Sequence, residues 1–314
     1  MIATVPQRTW CRRHRAVLFV LALSACAAAA QTAPVPAPAA ATTAARSGIA
    51  LHPQPWLAGV VQAPQVGAVT LYGPPADTAV RGLALFASGD GGWNLGVIDM
   101  ARRAAAAGFW VAGFSTPRYF RGLAAQPATQ CADAATTLQG LGARLKRQLG
   151  LPPALPVVLI GYSSGATLVY AALVQARPDV FDGGLSLGFC PELETRHPFC
   201  PGHGDLSAAR SRMPPHWPAL EKTARVQAPW HILQGDIDQV CAPAYAPEFV
   251  AGVPGAKAWV LPHVGHGFGY PRNWAPQYQQ ALDSLLAAAP ADTAIAAPRA
   301  AAPTAAAAIL RGGR

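Results

Sequence analysis

The chain has 314 residues, of which 52% are hydrophobic and 12% charged. This is length enough for one sizeable core, and it excludes both a miniprotein that needs disulfides to fold and a mainly disordered chain. The net charge of +9 owes much to Arg8, Arg12, Arg13 and Arg15 at one end and Arg299, Arg311 and Arg314 at the other. No Lys/Arg stripe with interleaved aromatics occurs, so no nucleic-acid partner is expected.

Residues 12–26, RRHRAVLFVLALSAC, set a basic segment before an apolar run from Ala16 to Ala25. This reads as a signal peptide over residues 1–25, too short for a comfortable membrane span. Leu23-Ser24-Ala25-Cys26 resembles a bacterial lipoprotein processing box, which implies cleavage before Cys26 and acylation of that cysteine. Ala27 in place of an aspartate implies, by resemblance to Gram-negative sorting, the outer membrane. Cleavage among the alanines after Cys26, giving a soluble periplasmic or secreted protein, is the alternative. Residues 26–54 form an Ala/Pro-rich tether and 288–314 a low-complexity tail, leaving a folded domain over about 55–287.

Within that domain short apolar runs alternate with helical spacing. Strands are predicted at Val69–Tyr72, Leu83–Ala87, Phe109–Phe114, Val157–Ile160, Leu185–Phe189, Trp230–Leu233 and Ala258–Leu261. Helices are predicted over 94–107, 128–149, 165–175 and 276–286, the second stopped by Gly150 and Pro152. Apolar strands without strict alternation, separated by helices, indicate an α/β domain: a mostly parallel central sheet covered by helices on both faces. Residues 190–227 break the rhythm and read as an inserted lip or cap.

The strongest chemical signal is Gly161-Tyr162-Ser163-Ser164-Gly165, between an apolar strand and a helix. That context is a nucleophile elbow and points to the α/β-hydrolase fold. Ser163 is the candidate nucleophile, and the amide of Ser164 a candidate oxyanion donor. An acid and then a histidine should follow in chain order. Asp238 in GDIDQV is favoured over Asp236 as the acid. His266 in HVGHGF, with a glycine on each side, is favoured as the base, leaving His263 at the rim. The loop Ser88-Gly89-Asp90-Gly91-Gly92-Trp93 follows a strand, and its Asp90 or Gly91 amide should complete the oxyanion hole.

Cys131, Cys190, Cys200 and Cys241 remain once Cys11 and Cys26 are set aside, an even number that suits an oxidising compartment. Of three possible pairings, Cys190–Cys200 with Cys131–Cys241 is expected, because the first two share one insertion. CxxC and HExxH patterns are absent, so neither metal nor cofactor is expected.

SGDGGW, FSTPRYF, GYSSGA, GDIDQVC and HVGHGF, in that order, resemble the bacterial AcvB/VirJ virulence-protein family of exported α/β-hydrolases. The resemblance implies Ser163, Asp238 and His266 as the triad, and Arg118, Tyr119 and Phe120 as a signature near the site, on a rim shared with Trp93. It also implies hydrolysis of the aminoacyl ester of lysyl-phosphatidylglycerol, or a link to type IV secretion. The chain departs from the family at Ser164, where a bulkier residue is expected, and in having one hydrolase-like domain. Glu192, Glu194 and Asp205 in the insertion are the candidate partners of a lysyl amine. A non-catalytic periplasmic binding or assembly protein and a general secreted esterase are the rival readings.

Overall fold

The structure, a computed structural model, describes residues 57–127, 129–211 and 215–287. The signal peptide, the tether with Cys26 and the low-complexity tail lie outside the described residues.

Ten strands are described: β1 (Leu57–Ala63), β2 (Gly67–Tyr72), β3 (Gly82–Ala87), β4 (Phe109–Phe114), β5 (Val157–Tyr162), β6 (Gly183–Leu187), β7 (Ala208–Arg210), β8 (Pro218–Leu220), β9 (Trp230–Gly235) and β10 (Lys257–Leu261). The helices are α1 (Leu95–Ala106), α2 (Thr116–Ala124), α3 (Ala134–Leu149), α4 (Ser164–Gln175), α5 (Tyr245–Val250) and α6 (Ala275–Ala287). Eight strands form one sheet in the order β1-β2-β4-β3-β5-β6-β9-β10. β1, β2 and β4 pair antiparallel, and the remaining pairs are parallel.

Each central strand is apolar on both sides because both sides are covered. Along β3, Leu83, Leu85 and Ala87 join a core with α3 and α4, while Ala84 and Phe86 point into a second core with α1 and α6. Every residue of α4 is buried, since α3, the sheet and the insertion surround it. A helix apolar all round belongs in such a place.

Several boundaries differ from the sequence expectation. The helix expected from residue 128 begins at Ala134, because the Asp133 carboxylate accepts the Thr136 amide at 2.9 Å and caps it there. The FSTPRYF segment is itself mostly helical: Ser115 caps α2 and Pro117 sits in its first turn. The strand expected at Leu185–Phe189 ends at Leu187, because Gly188 turns away at φ +61°. The insertion holds the two-stranded ribbon β7–β8 and packs on the end of α4, where the amides of His203 and Gly204 donate to the carbonyls of Gln175 and Val174.

The disulfide expectation is corrected. The bonds are Cys131–Cys200 and Cys190–Cys241, not Cys190–Cys200 and Cys131–Cys241. Closeness in sequence misled, because Cys190 lies in the loop just after β6, the strand neighbouring β9, and so meets the loop that follows β9. Cys200 lies at the far side of the insertion, where the Cys200 amide donates to the Ala132 carbonyl at 3.0 Å.

Candidate active site

β5 runs straight into α4, and Ser163 occupies the corner at φ +55°, ψ −123°. A non-glycine residue holds such angles only where its surroundings over-determine them. Here the two flanking glycines permit the close approach: a Cβ on Gly161 would overlap the Gly165 carbonyl, and one on Gly165 would overlap the carbonyls of Ala87 and Ser88. The amide of Ser163 donates to the Leu187 carbonyl at 2.9 Å, and its hydroxyl is left facing the loops beyond the sheet. The amides of Ser164 and Gly165 open α4 and have no intrahelical carbonyl to meet.

Three side chains from separate loops meet in one chain of hydrogen bonds. Ser163 Oγ lies 2.9 Å from His266 Nε2, and His266 Nδ1 lies 2.9 Å from Asp238 Oδ2. The Asp238 side chain is fully buried. Its Oδ1 accepts the amides of Val240 at 2.9 Å and Cys241 at 2.8 Å. Burial alone would raise the carboxyl's pKa, but the bonds from His266, Cys241 and Val240 together outweigh it and hold the group below the ordinary carboxylate value. Tyr162 lies against the His266 ring and donates its hydroxyl to the His266 carbonyl at 3.0 Å. Burial pushes the Tyr162 hydroxyl pKa up, so it stays a donor. Gly188 backs the ring: a Cβ there would lie 3.2 Å from His266 Nδ1 and 3.6 Å from Asp238 Oδ2.

A cavity of about 480 Å³ opens over Ser163. Its walls include Asp90, Ser164, Glu192, Glu194, Trp217 and Tyr245, and no lysine or arginine lines it among the described residues. Glu192 accepts the Tyr245 hydroxyl at 2.9 Å. Burial, then the bond and charge of Glu192, push that phenol up to about 12. Gly89 presses against the nucleophile, since a Cβ on it would stand 3.0 Å from Ser163 Cβ. The loop after it is braced twice: the Gly92 amide donates to the Gly89 carbonyl at 2.9 Å, and Asn94 donates to the Gly91 carbonyl at 2.8 Å.

Other sequence-predicted positions fall elsewhere. Asp236 is exposed, and so is His263, which touches neither Ser163 nor Asp238. Asp205 pairs with Arg225 on the surface rather than lining the cavity. Tyr119 is fully buried against Phe120, and the flank of Arg118 covers Gly67, so this signature is not a rim. Its segment works from behind, where Thr116 at the start of α2 bonds Ser88 through its amide at 3.1 Å and its hydroxyl at 2.5 Å. Trp93 also lies behind the loop, over Gly113, with its indole N–H donating to the Tyr72 hydroxyl at 3.2 Å.

Sequence reasoning missed Gly188 and Gln234. Gln234 is fully buried and donates to Asp238 Oδ2 at 3.0 Å. The available signal was a polar residue inside the apolar run WHILQG, just ahead of the acid's loop. Asp238, His266 and Cys241 could converge on a metal ion, but the first two are bonded within the triad arrangement and the third is in a disulfide. The donor set does not fit a metal.

Strand order, elbow and the acid–histidine–serine chain define a serine hydrolase of the α/β-hydrolase fold. Residues 81–180, which span the SGDGGW loop, α2 and the elbow, match the family described as bacterial virulence protein (VirJ). No curated protein matches the chain. Among solved structures, dienelactone hydrolase from Anabaena variabilis is 19% identical with a TM-score of 0.49, over 73% of this chain and 97% of that one. Est1E from Butyrivibrio proteoclasticus is 11% identical with a TM-score of 0.47, over 73% and 98%. XC6422 from Xanthomonas campestris, an α/β serine hydrolase without a lid, is 16% identical with a TM-score of 0.44, over 72% and 92%.

Proposed function

We propose that this protein hydrolyses carboxylic esters that carry a positive charge near the scissile bond, with the aminoacyl ester of lysyl-phosphatidylglycerol as substrate. One observation carries the reading: the Asp238–His266–Ser163 chain opens into a cavity lined by Asp90, Glu192 and Glu194 and, among the described residues, by no lysine or arginine. Ser163 Oγ attacks the ester carbonyl while His266 Nε2 takes its proton. Asp238 keeps the histidine in the tautomer protonated at Nδ1 and stabilises the imidazolium. The amides of Ser164 and of Asp90 or Gly91 receive the oxyanion. His266 then protonates the leaving alcohol, and water activated by the same histidine clears the acyl-enzyme.

The exposed apolar side chains of Trp217 and Val240 on the cavity wall, and of Ile237 beside it, suit a substrate with acyl chains. Among the described residues no helix is long and apolar enough to cross a membrane. In this reading, access to lipid comes from export and a lipid on Cys26.

The test is turnover of lysyl-phosphatidylglycerol vesicles and p-nitrophenyl esters by the purified protein with disulfides intact. Released lysine that vanishes in Ser163→Ala is the expected result. Turnover of simple esters alone would leave a general esterase. Folded protein with no turnover, and no labelling of Ser163 by a fluorophosphonate, would leave a binding or assembly role. Replacing Glu192 and Glu194 together by glutamine should raise KM about tenfold or more for the lysyl ester and leave a neutral ester within about twofold. Equal effects on both substrates would sink the charge argument.

A further inference from the structure

Asp238 is held by more than the histidine. A carboxylate offers about four lone-pair sites, and Asp238 has all of them occupied. Val240 and Cys241 amides fill Oδ1, while His266 Nδ1 and Gln234 Nε2 share Oδ2. Gln234 is fully buried at the end of β9 and does not line the cavity. Its second amide hydrogen goes to the Cys241 carbonyl at 2.9 Å, and its Oε1 accepts the Phe189 amide at 2.8 Å. The orientation of the amide is therefore fixed by its partners, since the Phe189 N–H can only donate and the Cys241 carbonyl can only accept. One side chain thus ties the acid to the loop after β6, whose Gly188 backs the histidine ring.

We propose that Gln234 is a positioning residue of the triad, which fixes the acid's orientation and sets the basicity of His266 through the shared Oδ2. The inference rests on the reading of Ser163, His266 and Asp238 as the reacting set. Physically, a neutral donor on Oδ2 draws charge density away from the oxygen that holds the imidazolium. Without it, Oδ2 grips protonated His266 harder, the histidine's pKa rises, and free base appears only at higher pH. The other ionisable groups around the pair are Asp90, Glu192 and Glu194 on the cavity wall, Tyr162 against the ring, and exposed Asp236 and His263 on the two loops. None of these bonds the carboxylate of Asp238 or a ring nitrogen of His266.

The rate of Ser163 phosphonylation by a fluorophosphonate, followed from acid to alkaline pH, reads the base without any substrate. The full chain is compared with Gln234→Met and with Gln234→Leu, each with both disulfides formed. The acid limb should move up by about half a pH unit or more in both. Folded variants whose limb coincides with that of the unaltered protein overturn the proposal, even where their plateau rate is lower, because a purely structural loss lowers the plateau alone. A second reading needs no variant. The side-chain amide of Gln234, observed by NMR in the unaltered protein, should shift with the midpoint of His266 titration, and an amide blind to that titration also overturns the proposal. If Ser163 is unlabelled at every pH, the hydrolase reading fails instead, and the amide titration still decides the role of Gln234.

Discussion

Gly188 shows how little room the site leaves behind its base. The residue combines φ +61° with a hypothetical Cβ at 3.2 Å from His266 Nδ1. Gly188→Ala is both strained in the backbone and crowded against the ring. It should lower kcat about ten- to a hundredfold through a displaced histidine, while melting only a few degrees earlier. Unchanged kinetics in the folded variant would show that the ring has slack. Neither Gly188 nor Gln234 carries a motif, so neither was legible in the sequence. Ser163, Asp238 and His266 were legible because the elbow demands glycines at fixed offsets and chain order narrows the acid and the base. Asp238 over Asp236, and His266 over His263, are distinctions the structure draws through burial and exposure.

Among the elements, β3, β4, β5 and α4 were readable because uninterrupted apolar runs belong to a sheet covered on both faces. α2 was not: TPRYFRGLA mixes polar and aromatic residues, and its helix depends on the Ser115 cap and on burying Tyr119 and Leu123. The disulfides were unreadable as pairs because Cys190–Cys241 follows the adjacency of β6 and β9, while Cys131–Cys200 ties the insertion to the segment before α3. Both close long loops, with sequence separations of 69 and 51, and chain entropy makes each worth about 4 kcal/mol at most. They should differ in function. Cys190–Cys241 joins the cavity wall to the residue whose amide holds Asp238, so replacing both cysteines by alanine should lower Tm and cut kcat several-fold. The same change at Cys131 and Cys200 should lower Tm with kcat within about twofold. Equal kinetic losses from both would place the coupling elsewhere.

Across the whole molecule, the eight-stranded sheet sets Asp238, His266 and Ser163 on loops at one edge while the two cores hold its faces. Stability at low pH depends on a residue remote from those loops. His231 on β9 is buried at 2% exposure against α6, with Nε2 2.7 Å from Ser284 Oγ. Burial lowers its pKa from 6.5 to about 4; a backbone hydrogen bond at Trp230 opposes this, and the charge of Lys257 adds a lesser lowering. The folded pKa lies below the unfolded one, so between these values the unfolded chain binds a proton that the folded chain refuses. Stability is therefore level above about pH 6.5 and falls as pH drops toward 4, by about 3 kcal/mol. His231→Gln should flatten the slope of Tm against pH in that window, and an unaltered slope would assign acid sensitivity to other groups.

The Cys190–Cys241 bond has one more consequence. Thiols of the cytoplasm keep such pairs reduced, and oxidising compartments close them. If the bond stiffens the acid's loop as predicted, a copy of this chain still among cytoplasmic thiols is an unfinished catalyst. Closing the Cys190–Cys241 bond then becomes the step that arms the enzyme.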